Sequence, residues 1–518
     1  MRASKNSESS RTSKKVSNKP ALKKPVGNQG VAWRHVLSAV ATLLLIGSGA
    51  AWWVYRHGYT LYYGDAEAHL NNARRILDSR TPNVEQVGTV WLPLPHLLMM
   101  PFAGNNHLWQ SGLAGVFPSV AAFVIGGLLL FLSVWRLLGG PAAAWTALVV
   151  FALNPNLLYL QSVPMTEALF FACLCGILWR SLQDGAVGLI GLVVASNAAS
   201  LTRYEGWFLI PFVALYVWIK SKSAGKAVLF ASGASLGPLA WLIHNQVYWH
   251  DPLEFYWGQW SAKAIYARQL ASGMAPYPGD HDWSKAWEYF SAAVRATIHP
   301  VILMVAAAGV LLAFWKRAWW PVVLLLLAPG FYLWSMHGSG TPIFLPTLPP
   351  FSWYNTRYGL AALPLVAVTL GAAVCWLPRK VWMLGPTLGV CLSALPYLAS
   401  SQPSICWRES EVNSEERRAW QHQTGSYLSS VYRGGGILAS LGSLSGSFRE
   451  AGIPIREVLH EGNHPAWDQV ILNPSSATER WAMALPGDPI DRVMKANPAY
   501  RLTREITVGN STVRLYSR

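Results

Sequence analysis

Charge is scarce in this chain. Of 518 residues only 13% are Asp, Glu, Lys or Arg, about half the share usual in a soluble protein. That shortage excludes an ordinary water-soluble enzyme. Cysteine is scarce too: Cys173, Cys175, Cys375, Cys391 and Cys406 are all there is. Four of the five sit in apolar runs, one residue rather than two separates the closest pair, and no histidine set accompanies them. They read as small buried hydrophobes, not as a disulfide or zinc framework. No solenoid period and no inverted repeat is visible.

What is abundant is apolar sequence, 52% of the chain. It comes in stretches of about 17–22 residues, the length that crosses a bilayer, often with Trp or Tyr at the ends. About eleven spans are expected, near 36–55, 112–135, 142–160, 166–180, 187–202, 206–219, 227–247, 298–315, 319–336, 358–377 and 381–399. Basic residues are uneven. Nine, from Arg2 to Arg34, crowd the N-terminal tail against one acid, Glu8. A Ser-, Asn- and Lys-rich tail before a span reads as a disordered cytoplasmic segment drawn to anionic lipid, in preference to nucleic acid. Its length makes the first span a signal anchor, despite a faint "SGA" cleavage pattern at 48–50.

Basic loop residues fix the topology. With the tail inside, Arg136, Arg180, Lys220, Lys222, Lys226, Lys316, Arg317, Arg379 and Lys380 fall on inside loops. Segments 56–111, 161–165, 203–205, 248–297, 337–357 and everything after about 400 are then outside. Residues 65–78 predict an amphipathic surface helix, with Ala66, Leu70, Ala73 and Leu77 on one face. "TVWLPLPHLLMMPF" (89–102) is too short to span and dips into or lies along the outer leaflet. Around Gly509-Asn510 the alternating C-terminal sequence gives a hairpin signal. The fold class is therefore mainly α: a polytopic transmembrane helical bundle with a small C-terminal extracytoplasmic α/β domain. Its parts are a tail at 1–34, a membrane domain at 35–400 and the outer domain at 401–518.

Ionisable residues from distant positions converge on the outer face: Asp65, Glu67, His69, Glu167, Arg203, Glu205, His250, Asp251 and Arg357. Such groups at a membrane edge are costly unless paired, hydrated or functional. Each has a plainer reading. Asp65 is either a first-turn acid favouring the helix dipole or a working carboxylate, and it shares a helix face with His69. Asp65-x-Glu67-x-His69 is also a possible, oxygen-poor set for a divalent metal; no cofactor is otherwise indicated. Glu167 follows a Thr166 cap in "SVPMTEALF". Arg203 and Glu205 in "LTRYEGW" are a structural ion pair or part of a site. Arg357 in "NTRYGLAALP" either snorkels to lipid or grips a phosphate. "HDPLEFYWGQWSAKAIYARQ" adds His250, Lys263 and Arg268 among aromatics.

These motifs together resemble the polytopic GT-C glycosyltransferases that use polyprenyl-phosphate sugars, within the bacterial group of protein O-mannosyltransferases and aminoarabinose transferases. The resemblance rests on "YGDAEAH", "VPMTEALF", "LTRYEGWFLIP", "HDPLEFYWGQWSAKA" and "RYGLAALPLV", in order, over residues 36–400. It implies that Asp65 is the catalytic acid of the first outer loop. It carries Glu167 over as the span-opening Glu, and Arg357-Tyr358 as the pair near the lipid phosphate. The family's acidic pair is adjacent, whereas Glu67 here is spaced by one. The resemblance thus implies an inverting enzyme with Asp65, Glu67 and Glu167 as catalytic candidates. His69, Arg203, Glu205, His250, Lys263, Arg357 and Tyr358 are the substrate-binding candidates. The expected partners are a polyprenyl-phosphate sugar, membrane lipid and an unidentified acceptor, with no nucleic acid. A transporter or flippase, a polymerase with a diphosphate donor, and a non-catalytic scaffold are the competing classes.

Overall fold

The structure, a computed structural model, describes residues 31–315, 318–399, 404–442 and 444–518. Most of the basic tail expected at 1–34 lies outside the described residues, as do Lys316 and Arg317.

All eleven apolar stretches are helical. Among the described residues, five helices are long and apolar enough to cross a membrane: Trp33–Arg56, Leu113–Leu138, Ala224–Trp249, Trp319–His337 and Thr356–Val374. A sixth crossing arises if Trp283–Thr297 and Pro300–Trp315, bent by 110°, act as one. The others are shorter, and proline explains the clearest break. Asn154-Pro155 divides the 142–160 stretch into Pro141–Ala152 and Pro155–Leu160. The Asn154 side chain caps the second piece, accepting from the Asn156 and Leu157 amides at 3.0 and 3.1 Å. The chain is thus a multi-pass membrane protein whose short helices pack between long ones.

Small residues set the closest approaches, as expected where lipid removes the hydrophobic drive between helices. A Cβ on Gly126 would lie 3.1 Å from the Ala172 Cα. Leu113–Leu138 therefore meets Glu167–Ser181 backbone to backbone, which fixes the height of Glu167. A Cβ on Gly359 would lie 2.3 Å from the Ala293 carbonyl oxygen. That contact seats the tight helix Thr356–Ala362, which carries Arg357, against Trp283–Thr297.

After the membrane domain comes a 27-residue helix, Ile405–Val431, here called the bridging helix. Its sequence is polar on every side, so it lacks the apolar stripe that announces a helix. A five-stranded sheet follows, in the order β2-β1-β3-β5-β4: β1 Ile437–Ala439, β2 Val458–Leu459, β3 Trp481–Ala484, β4 Arg501–Val508 and β5 Ser511–Ser517. β1 pairs in parallel with β2 and β3, while β5 pairs antiparallel with β3 and β4. The β4–β5 hairpin turns at Gly509-Asn510, where Gly509 has φ 56°, as the sequence predicts.

The C-terminal region is not a separate appendage. The Cys406 amide donates to Asn156 Oδ1 at 3.0 Å, and Tyr159 and Ser410 share a 2.8 Å hydroxyl contact. The expected surface helix at 65–78 is affected too. It runs Gly64–Arg75, and polar Glu67, His69, Asn71 and Arg74 are buried along with Ala66, Leu70 and Ala73. Leu70 and Ala73 share a core with Trp420, Leu428 and Phe448. Arg74, off the apolar face, is buried and pairs with buried Asp78 at 2.7 Å. The helix lies between two domains because the outer domain covers the face that was expected to meet solvent.

Candidate active site

The Gly64–Arg75 helix opens with Asp65 in its first turn. Its carboxylate accepts a 2.6 Å hydrogen bond from Arg357 Nη2. Arg357 is buried and meets three acids: Asp65, Glu167 through Nε at 3.2 Å, and Glu409 through Nη1 at 3.5 Å. The Glu167 contact is at ion-pair distance but off the line of a hydrogen bond. Arg203 is equally engaged. It donates to Glu205 at 2.7 Å, Thr166 at 2.6 Å, Glu167 at 3.3 Å and the Tyr332 hydroxyl at 2.9 Å. Tyr332 also donates to Glu205. Tyr358 stacks on Tyr332 with centroids 4.4 Å apart and lies beneath both guanidinium groups. Four carboxylates thus face two guanidinium groups, gathered from five separate segments around positions 65, 167, 203–205, 357 and 409.

This cluster forms the floor of a cavity of about 650 Å³. Asp65, Arg203, Glu205, Arg357 and Tyr358 line it, together with His69, Lys263 and the aromatics Trp91, Trp207, Phe208, Phe331 and Trp334. Asp65 is the exposed acid of the cluster, with its side chain 43% accessible against 6% for Glu167. Lys263 sits on the opposite chemistry. Its ammonium lies 4.7 and 4.4 Å from the centroids of the Tyr256 and Trp257 rings and donates to the Tyr256 hydroxyl at 3.1 Å. Among the described residues it makes no ion pair.

His69 does not pair with Asp65, although helix spacing allows it. Its Nδ1 lies 2.9 Å from His96 Nε2, and its ring packs on Trp91 at 4.2 Å. Burial, aided by Arg203 and Arg357, pushes its pKa down to about 3. The imidazole is therefore neutral, and the pair shares a hydrogen bond instead of repelling.

Glu67 points away from the cavity. It is buried against Arg417 and Arg449, both at 3.4 Å, and accepts from Gln421 at 3.2 Å. These partners belong to the outer domain. Two residues turn a helix by about 200°, so Asp65 and Glu67 cannot share a face. Asp65, Glu67 and His69 have three separate sets of partners, and among the described residues no group of three or more such side chains converges as a metal site. His250 ends the Leu236–Trp249 helix in a left-handed turn, exposed and not lining the cavity. Sequence reasoning missed Glu409, Tyr332, His96 and Tyr63, whose ring centroid lies 5.2 Å from the Arg357 guanidinium carbon. Glu409 is 1% exposed, and burial raises its carboxyl pKa while Arg357 and the Asn355 and Thr356 donors pull it back. One of four glutamates in a polar helix, Glu409 gave no signal of such a role.

No family model and no curated protein sequence matches the chain. Two solved structures of ArnT from Cupriavidus metallidurans do. The one bound to undecaprenyl phosphate aligns with a TM-score of 0.57 at 12% identity, covering 94% of this chain and 98% of that one. The chain has the ArnT fold. The apo-state ArnT structure aligns over the same shares with a TM-score of 0.50, again at 12% identity. Coverage this complete extends the ArnT-like fold through the membrane helices and the outer domain together.

Proposed function

We propose that this chain is an inverting glycosyltransferase. It moves a sugar from a polyprenyl-phosphate donor to an acceptor hydroxyl at the outer face of the membrane. The observation that carries this reading is Asp65: a carboxylate held by one arginine at 2.6 Å, yet open to a large aromatic-walled cavity. The acceptor oxygen attacks the sugar C1, and Asp65 takes its proton. The C1–O bond breaks, its electron pair leaves with the lipid phosphate, and one in-line displacement inverts C1. Positive charge building on the sugar faces the acid-rich floor. A leaving phosphate is already anionic near neutral pH, so no second acid is required.

The four-to-two excess of carboxylates over guanidinium groups changes the phosphate assignment. Both arginines are already occupied by acids, so Lys263, with its aromatic cradle, is the better cation for the phosphate. Arg357 orients Asp65, and Glu167 holds both arginines. Among the described residues lining the cavity, Lys263 is the one Lys or Arg without an acid partner, which suits a monophosphate better than a diphosphate. The aromatic walls suit a sugar ring and the first prenyl units. The fold shared with a protein solved with undecaprenyl phosphate supports the donor class. Sidedness follows the positive-inside rule. Lys220 supports it by bonding to the Ser181 and Gln183 carbonyls at 2.9 and 2.8 Å, so two predicted inside loops meet.

The test is transfer of radiolabelled sugar in membranes from polyprenyl-phosphate hexose or pentose donors, wild type against Asp65→Asn. Label incorporated only by wild type is the expected result. Equal incorporation by both proteins removes Asp65 as the base. No incorporation by folded wild type with any donor overturns the transferase reading in favour of a transporter or scaffold.

A further inference from the structure

Asp65 and Arg357 make the central contact of the site across 292 positions of sequence. One element outside the membrane domain touches the segments carrying both. At its membrane end, the bridging helix Ile405–Val431 presents Glu409. This carboxylate accepts from the Asn355 amide at 3.1 Å, the Thr356 amide at 2.8 Å and the Thr356 hydroxyl at 2.5 Å. It also meets Arg357 at 3.5 Å. Glu409 thus caps the tight helix Thr356–Ala362 from a distance, doing what a local cap residue does elsewhere. Asn355, the residue before that helix, is in the left-handed region with φ 56°, a conformation that needs holding.

Eight residues, about 12 Å, farther along the same helix stands Arg417. It donates to the Tyr62 and Leu61 carbonyls at 2.7 and 3.3 Å, immediately before the helix that carries Asp65. Its charge meets Glu67 at 3.4 Å, and Gln421, one turn on, donates to the same carboxylate. A helix is a stiff rod. Anchoring one end beside Arg357 and a later turn beside Asp65 fixes the distance between them. Apolar side chains would hold two domains together without these contacts. A buried carboxylate aimed at two amides and an arginine does more than fill space.

We propose that the bridging helix is a positioning strut: Glu409 and Arg417 set the Asp65–Arg357 geometry, making the outer domain part of the transfer machinery. The positioning claim stands on contacts alone; its effect on turnover rests on the transferase reading above. The full chain is purified in lipid nanodiscs, and amide hydrogen exchange is followed at residues 61–67 and 355–358. Variants are Glu409→Ala, Glu409→Gln and Arg417→Ala. In Glu409→Ala, exchange at 355–358 rises about tenfold or more, and kcat falls about tenfold to a hundredfold with donor KM within about twofold. Glu409→Gln keeps side-chain volume and an accepting oxygen, so it restores most protection and part of kcat. Arg417→Ala raises exchange at 61–67. Unchanged exchange at 355–358 in Glu409→Ala overturns the strut. So does raised exchange with unchanged kcat. If Glu409→Ala fails to fold, wild-type exchange at 61–67 together with wild-type kcat in Arg417→Ala overturns it equally. Raised exchange in a protein whose wild type transfers no sugar supports the strut and overturns the transferase reading instead.

Discussion

Two carboxylates two residues apart on one helix have opposite surroundings. Asp65 faces a cavity, is 43% accessible and has one strong partner. Glu67 is 4% accessible and is held by two arginines and an amide from another domain. The first is free to exchange a proton with a bound molecule. The second has no route to one. Chemistry and architecture are thus divided between two sides of a single helix turn, and a substitution on each side reads out a different property.

The largest effect is expected at Asp65. Asp65→Asn keeps the shape and removes the base, so transfer falls by about 10³-fold or more. The thermal midpoint barely moves, because the side chain is partly exposed and the amide still accepts from Arg357. A large loss of stability in this variant would erase the contrast with Glu67.

Glu67→Ala is expected to do the reverse. It leaves Arg417 and Arg449 without their buried partner, costing about 3 kcal/mol of stability. Chemical denaturation in a fixed detergent measures this. The activity of the remaining folded protein falls far less than in Asp65→Asn. If Glu67→Ala is as stable as wild type but inactive, the roles of the two acids are exchanged.

The sequence makes one side of this comparison far more legible than the other. Alternating apolar stretches and basic loops place Asp65, Glu167, Arg203 and Arg357 on one face, because membrane topology needs only local hydropathy and charge. Arg203 and Glu205, two residues apart, invite pairing by inspection. The Gly509-Asn510 turn is equally local. Glu67's burial is not legible: it depends on Arg417 and Arg449, 350 and 382 residues away, and on an outer domain folding back over the helix. The bridging helix is hidden for a related reason. Without an apolar stripe it has no periodic signal, and its stability comes from contacts that sequence alone does not show. Lys263 shows a third limit. Choosing it over Arg357 for the phosphate required knowing which cations already have acids.

In the proposed reaction Lys263, which lines the same cavity, extends the comparison from the base to the leaving group. Removing one charge-assisted contact to phosphate costs about 1.5–3 kcal/mol. Lys263→Ala therefore raises the donor KM by about tenfold to a hundredfold, with kcat affected less. Steady-state kinetics with varied donor concentration separates the two parameters. A fall in kcat alone would move Lys263 from ground-state binding to leaving-group stabilisation in the transition state.

The smallest effect concerns the neutral histidine behind Asp65. His69 has a folded pKa of about 3, against about 6.5 in an unfolded chain. Between these values the unfolded state takes up the proton and the folded state does not. Stability from this group is therefore present above pH 6.5 and drains away as the pH falls toward 3. From pH 6.5 to 5.5 the loss is about 1 kcal/mol. His69→Gln, which cannot titrate, removes that share of the slope and leaves the shares of buried His96 and His460, whose pKa values burial also lowers. Unfolding midpoints measured for wild type and His69→Gln at both pH values give the difference directly. If the two slopes are equal, His69 is not held neutral by the fold. In that case the imidazole facing Asp65's cavity is free to take a proton there itself, and Asp65 would no longer be the obvious base.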